Sequence, residues 1–206
     1  ADGTKALIEA ILKDAEGADL RLSAIVSKVE KTCYGYKVMT KDGCEFSGRS
    51  VIAALPLNVL NNILFEPPLS EKKCKAAVEK QTSKGFKFWA RVRGPRCPIV
   101  LTAPAHHKIN YVQTEAINKD TSIFVGFGCD STKLNIRNAK EIENELRTFI
   151  PDIEVIETAG HDWMADPLSQ GTWAMLKNKQ LTEFLEELQR GEDGLFIAGS
   201  DYANGW

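Results

Sequence analysis

Three runs of alternating residues crowd the middle of this chain: Phe86 to Arg93 (FKFWARVR), Ile109 to Glu115 (INYVQTE) and Ser122 to Gly128 (SIFVGFG). Alternation puts every second side chain on one face, as in strands that lay one face on a core. Helical spacing flanks them. Residues 4–13 carry Ala6, Leu7, Ile8, Ala10, Ile11 and Leu12 on an apolar face. Residues 71–80 follow Ser70, a residue type suited to an N-cap. Residues 141–150 line up Ile142, Leu146, Phe149 and Ile150, and a fourth helix falls around 180–190. Further strands are expected over 20–32, 34–40 and 153–163, with Asp42-Gly43 as a hairpin turn. The run VIAAL (51–55), stopped by Pro56, lacks alternation and reads as a strand buried on both faces. LFIAG (195–199) reads as a buried strand running into a Gly-rich turn. The fold class is α+β: a mixed, largely antiparallel sheet with helices.

Composition removes several function classes. A chain of 206 residues can bury about 70% of its unfolded surface, enough for a real core. The formal net charge is −2, so no basic excess exists to neutralise phosphates, and nucleic acid is not an expected partner. No apolar run reaches the ~18 residues that a membrane span needs. The charged, amphipathic start ADGTKALIEAILKDAEG does not read as a signal peptide. Cys33, Cys44, Cys74, Cys97 and Cys129 are widely spaced with no CxxC pair. They read as reduced, small buried residues of a cytoplasmic protein, not as a disulfide framework or a zinc site. His106-His107 is flanked by prolines with no carboxylate at ligand spacing, and no metal is expected. Neither a G-x-S-x-G elbow nor a P-loop occurs, and Gly126-Phe127-Gly128 reads as a strand end, not as a dinucleotide fingerprint.

Two features stand above this background. Lys87 sits between Phe86 and Phe88 in an apolar, aromatic strand. Alternation can turn it to solvent, or a site can hold it. Trp163, Trp173 and Trp206 gather near turn residues in the C-terminal third, as core or loop anchors or as parts of a site.

Four stretches, in order, carry a family resemblance. VIAALPLNVLNNILFEPPLS, GFKFWARVRG, HDWMADPLSQGTW and LFIAGSDYANGW resemble segments of the flavin-containing amine oxidases, the monoamine oxidase-like family. The resemblance covers most of residues 20–206 and divides the chain by function. Residues 1–54 resemble a segment of the FAD domain, 55–160 the substrate-binding domain, and 161–206 a return into the FAD domain. The family's opening βαβ unit with G-x-G-x-x-G has no counterpart here, nor has its continuation past Trp206. The resemblance therefore implies an internal piece of a longer enzyme, with exposed apolar strand faces at VIAAL and LFIAG and a tendency to self-associate.

The resemblance also implies roles, residue by residue. Val26 matches the position whose main chain meets the adenine end of FAD. Lys87 matches the lysine that holds a water against flavin N5, where its charge polarises that water or assists oxygen activation. Trp163 matches the tryptophan beside the isoalloxazine ring. Trp173 matches one wall of the aromatic cage that guides the substrate amine, narrowed by tryptophan in place of the commoner tyrosine. Gly199, Ser200 and Asp201 match the segment near the ribityl and pyrophosphate, where small residues allow close backbone approach. The implied reaction oxidises a C–H next to an amine nitrogen by hydride transfer to flavin, giving an imine and, with oxygen, hydrogen peroxide. No cysteine lies beyond Cys129, so the FAD is expected to be non-covalent. Two alternatives stand beside this reading. One is a non-catalytic substrate-binding module. The other is a relative of the L-amino acid oxidases, with Arg91, Arg93 or Arg96 taking the substrate carboxylate.

Overall fold

Two apolar cores, each under its own sheet, organise the chain. The structure, a computed structural model, describes residues 3–204, so Trp206 lies outside the described residues. In chain order the elements are α1 (Gly3–Asp14), β1 (Val26–Thr32), β2 (Gly35–Thr40), β3 (Glu45–Gly48), β4 (Val51–Ala53), β5 (Leu64–Glu66), α2 (Glu71–Glu79) and β6 (Phe86–Arg93). They continue with β7 (Val100–Thr102), β8 (Tyr111–Ile117), β9 (Ser122–Gly128), α3 (Ala139–Leu146), β10 (Glu154–Ala159), α4 (Gln180–Gln189) and β11 (Leu195–Ile197). The described residues form three sheets, ordered β10-β6-β9-β8-β7, β3-β2-β1-β5 and β11-β4. The first is wholly antiparallel; the others contain the parallel pairs β1–β5 and β4–β11. This is the expected mixed, largely antiparallel α+β class.

Strand β6 sits inside the five-stranded sheet, and its alternation is regular. Phe86, Phe88, Ala90 and Val92 are buried, while Lys87, Trp89, Arg91 and Arg93 look the other way. The buried face joins Phe124 of β9 and Val112 of β8 under Ile142 and Leu146 of α3. Phe88 and Phe124 are fully buried, each worth about 2–3 kcal/mol of apolar burial. Helix α3 starts where Asn138 accepts hydrogen bonds from the N–H groups of Lys140 and Glu141. In α3, Glu143 is buried and accepts from the Lys140 ammonium and from the Val155 N–H at 3.0 Å, and it pairs with Arg147 at 3.2 Å.

Lys140 first, and then the Val155 N–H, hold the Glu143 carboxyl below the ordinary glutamate value of 4.5. A depressed carboxylate stabilises the fold above its unfolded value and loses that contribution as pH falls through its folded one. Stability is therefore expected to fall as pH drops below 4.5, and Glu143→Gln to make that fall shallower. Urea midpoints on both sides of that pH test it; an unchanged slope in the variant counts against it.

The second core brings Val29, Leu57, Leu60 and Phe65 against Ala76 and Ala77 of α2 and Phe184 and Leu188 of α4. Inside it, Lys73 of α2 is 1% exposed, with its ammonium donating to the Arg190 carbonyl at 2.5 Å and to Glu192 at 2.6 Å.

Several expectations are corrected. The strand expected over 20–32 begins only at Val26, because Ser23 takes a positive φ of 59° that ends extended pairing before it. Ser70 precedes α2, but its side chain makes no cap hydrogen bond. VIAAL is not buried on both faces: β4 pairs on one side with β11, Ile52 stands opposite Phe196, and both are exposed. LFIAG, expected as a buried strand, is likewise buried only at Leu195, with Phe196 46% exposed; both segments show the open apolar faces also expected of them. Helix α1 forms at the expected place yet buries no residue, so its apolar face has no partner among the described residues. The cysteines are free but not buried: Cys33, Cys44, Cys97 and Cys129 are exposed, and Cys74 is half-buried. Among the described residues no group of three or more His, Cys, Asp or Glu is placed to hold a metal, and no helix is long and apolar enough to cross a membrane.

Candidate active site

The polar face of β6 and the loop after β10 meet at one place. The register sets Lys87 opposite Phe127 of β9, and Phe127 opposite Tyr111 of β8. The Lys87 ammonium lies 4.3 Å from the Trp89 ring centroid and 5.5 Å from that of Phe127. Aromatic faces therefore hold this cation, and no ion pair to it occurs among the described residues. Phe127 packs on Tyr111 at 5.8 Å and on Trp173 at 6.0 Å between centroids, continuing the aromatic row out of the sheet.

Two aspartates shape the loop that delivers the tryptophans. Asp162 accepts from the N–H groups of Met164 and Ala165, and Asp166 accepts from Leu168 N–H at 2.8 Å. These are turns in which a side chain replaces a backbone acceptor. Asp166 also bonds His161 Nε2 at 2.7 Å, and the His161 ring meets Trp163 edge-on at 4.3 Å. The Leu168 N–H and His161 hold the Asp166 carboxyl below its ordinary 3.8. Trp163 and Trp173 are 50% and 43% exposed, high values for large apolar rings.

A cavity of about 250 Å³ lies between these groups, lined by Lys87, Trp163, Thr172 and Trp173. Residues 76 or more positions apart in the chain thus share one wall, since Lys87 and Trp163 differ by 163 − 87 = 76. Trp173 also lines a second cavity of about 450 Å³, shared with Ser200, Asp201, Ala203 and Asn204. Its residues Ser200 and Asp201 lie just beyond the C-terminal end of β11. Gly199 follows β11 with φ 137°, a conformation that side-chain-bearing residues rarely adopt.

Asp201 is turned inward. It is 7% exposed, and its Oδ2 accepts the Leu57 N–H at 2.7 Å, closing the start of the 3₁₀ turn Leu57–Asn62. Burial pushes its carboxyl above the ordinary 3.8, against the pull of that N–H. Next to it the Tyr202 hydroxyl donates to the Leu55 carbonyl at 2.8 Å, and burial raises the phenol above its usual range. Val26 is not part of either cavity. It lines a separate apolar groove of about 410 Å³ with Val51, Ile52 and Ala53, beside a bulge between Val26 and Lys28.

The structure thus brings Lys87, Trp163 and Trp173 together, joins Ser200 and Asp201 to them through Trp173, and leaves Val26 apart. Arg91 and Arg93 share the Lys87 face, but each is paired across the ladder, with Glu157 at 2.8 Å and Glu154 at 2.7 Å. Arg96 donates to the Lys119 carbonyl. Phe127 and Asn204 were missed by sequence reasoning. The alternation of SIFVGFG puts Phe127 on a face, but only the pairing register names its partner.

Comparison with known proteins agrees with this architecture. The model of the family described as flavin containing amine oxidoreductase matches residues 1–206. A pseudooxynicotine dehydrogenase of a Pseudomonas species is 32% identical over 207 residues, which is 99% of this chain and 41% of that protein. A nicotine dehydrogenase of Pseudomonas putida is 32% identical over 99% of this chain and 42% of its own length. The chain therefore spans about two-fifths of the length of these two relatives. A putrescine oxidase bound to putrescine superposes with a TM-score of 0.77 at 18% identity, over 96% of this chain and 47% of the other, a likeness of fold. With residues 1–206 matched by that family's model, the chain belongs to the flavin containing amine oxidoreductase family.

Proposed function

We propose that the protein carrying this chain is an FAD-dependent amine oxidase. The observation that carries the reading is the convergence of Lys87, Trp163 and Trp173 on one cavity, joined through Trp173 to the Ser200–Asn204 cavity. The residues suit a flat cofactor bearing phosphates. A Cβ on Gly199 would meet nothing closer than the Tyr202 ring at 3.7 Å, so backbone approach is open there. Gly199 and Ser200 would hold the polar arm of the cofactor, Trp163 would pack beside its ring system, and the main chain at Val26 would meet its far end. Asp201 serves that segment indirectly, by fixing the turn at Leu57. Flavin, when bound, supplies the acceptor for hydride from a carbon next to an amine nitrogen.

The chain's own residues do the rest. Trp173, backed by Phe127, presents an aromatic face that packs against the amine and excludes water. Lys87 would hold a water by its ammonium and supply positive charge where oxygen takes up electrons from the bound cofactor. No side chain need act as a strong base, provided that the amine binds uncharged. The relatives' names point to amines attached to a flat aromatic ring, which matches an aromatic wall. Arg91 and Arg93, already paired with carboxylates, do not favour an amino acid substrate.

Expression from the complete reading frame, followed by a visible spectrum and a peroxide assay, tests the reading. Nicotine and pseudooxynicotine are expected to bleach the flavin and release peroxide, with putrescine weaker. Acid precipitation is expected to release the yellow colour into the supernatant, as for a non-covalent cofactor. Trp173→Ala is expected to raise the amine KM about tenfold. A colourless protein that takes up no FAD would instead support a binding module without turnover.

A further inference from the structure

A chain of buried polar groups abuts Trp173, and the reaction proposed above does not use it. Asn58, Gln81 and Ser83 are 4%, 6% and 6% exposed. Asn58 donates to the Gln170 carbonyl at 2.7 Å and accepts the Gln81 N–H at 2.8 Å. Gln81 in turn accepts the Ser83 N–H at 2.6 Å, and the hydroxyls of Ser83 and Thr172 share a hydrogen bond of 2.5 Å. The Thr82 N–H donates to the Met175 carbonyl at 2.9 Å. The segment that leads into β6 is thus stitched to the loop on both sides of Trp173.

Packing makes the same join. A Cβ on Gly85 would lie 2.6 Å from the Trp173 ring, so the indole rests directly on backbone. A Cβ on Gly171 would lie 2.6 Å from Gln81 and 2.7 Å from Asn58. Just before Gly171, Gln170 holds a positive φ of 50°, strain that persists only where its surroundings fix it. Asn58 binds its carbonyl, and Lys80 donates to its side chain at 2.9 Å.

We infer that Asn58, Gln81 and Ser83 are positioning residues for the aromatic wall. They clamp Gln170–Thr172 so that Trp173 is held in one orientation, in register with Lys87 on the strand that the same segment begins. Breaking one bond leaves a buried partner unsatisfied, so the loop shifts to find another. The consequence is a looser wall and weaker amine binding, not a slower chemical step.

This inference rests on the reading of Trp173 as a substrate wall, and the experiment separates the two. The protein from the complete reading frame is labelled with 5-fluorotryptophan, and Trp173 is assigned by the resonance lost in Trp173→Phe. Ser83→Ala is expected to shift or broaden that resonance and to raise the amine KM about tenfold with kcat within about twofold. Ser83→Thr, which keeps the hydroxyl, is expected to restore both. In the Trp173→Ala background Ser83→Ala is expected to add nothing, because the two act as one unit. A Ser83→Ala protein with an unmoved resonance and unchanged KM overturns the inference. If Trp173→Ala alone raises KM, the wall survives that failure. If Trp173→Ala leaves KM unchanged, wall and clamp fall together. Should Ser83→Ala not fold, Thr172→Val removes the same bond and is judged by the Trp173 resonance.

Discussion

Lys87→Met is expected to lower amine-dependent oxygen consumption by about 10²-fold, with most of the loss in flavin reoxidation. The reasoning starts from what surrounds the ammonium. It faces Trp89 at 4.3 Å and Phe127 at 5.5 Å, while its strand neighbours Arg91 and Arg93 are paired with glutamates. A cation held by aromatic faces keeps its charge free for a water or for reduced oxygen, and a carboxylate partner would cancel it. Methionine retains the length and the apolar contacts and deletes only the charge. Rapid mixing under anaerobic conditions separates the half-reactions. Flavin reduction by amine is expected to stay within a few-fold of wild type, on the same footing that one electrostatic donor acts where charge develops. An equal loss in both half-reactions, or none in reoxidation, would sink this role for Lys87.

Lys73→Met is expected to produce the largest loss of stability among single polar replacements, about 3 kcal/mol, or roughly 10 °C in Tm for a chain of this size. Lys73 is 1% exposed and satisfies two acceptors at once, the Arg190 carbonyl and Glu192. Removing the ammonium leaves the carbonyl without its donor and strands a carboxylate that also takes the Ser70 N–H at 3.4 Å. Those groups tie α2 to the turn before β11, so the damage reaches the second core. Glu192→Gln in the Lys73→Met background should recover part of the loss, because it removes the stranded charge. Thermal unfolding followed by circular dichroism gives the answer, and a Tm within a degree or so of wild type would refute it.

The strands that carry the site were legible because alternation is local. FKFWARVR and SIFVGFG occupy β6 and β9 residue for residue, and the turn at Asp42-Gly43 joins β2 to β3. What alternation leaves open is which face meets what. Lys87 was ambiguous between solvent and site until the register set it against Phe127, a partner supplied by another strand. VIAAL misled for the opposite reason. An uninterrupted apolar run implies cover on both faces, but the described residues cover one, and Ile52 remains open beside Phe196. The clamp of Asn58, Gln81 and Ser83 left no trace in the sequence, since polar residues near turns are ordinary and only their burial makes them informative.

The bond from Leu57 N–H to Asp201 spans 144 positions, and the one from Tyr202 to the Leu55 carbonyl spans 147. During synthesis the strand end at Ala53–Leu57 leaves the ribosome long before its partners exist. The five-stranded antiparallel sheet, whose strands follow one another closely, can close first, while β4 must wait until β11 has been made. Loop-closure entropy rises only slowly with length, so the delay costs time more than stability. The same late joint carries Gly199 and Ser200, so the turn after β11 is fixed only once that distant pairing has formed.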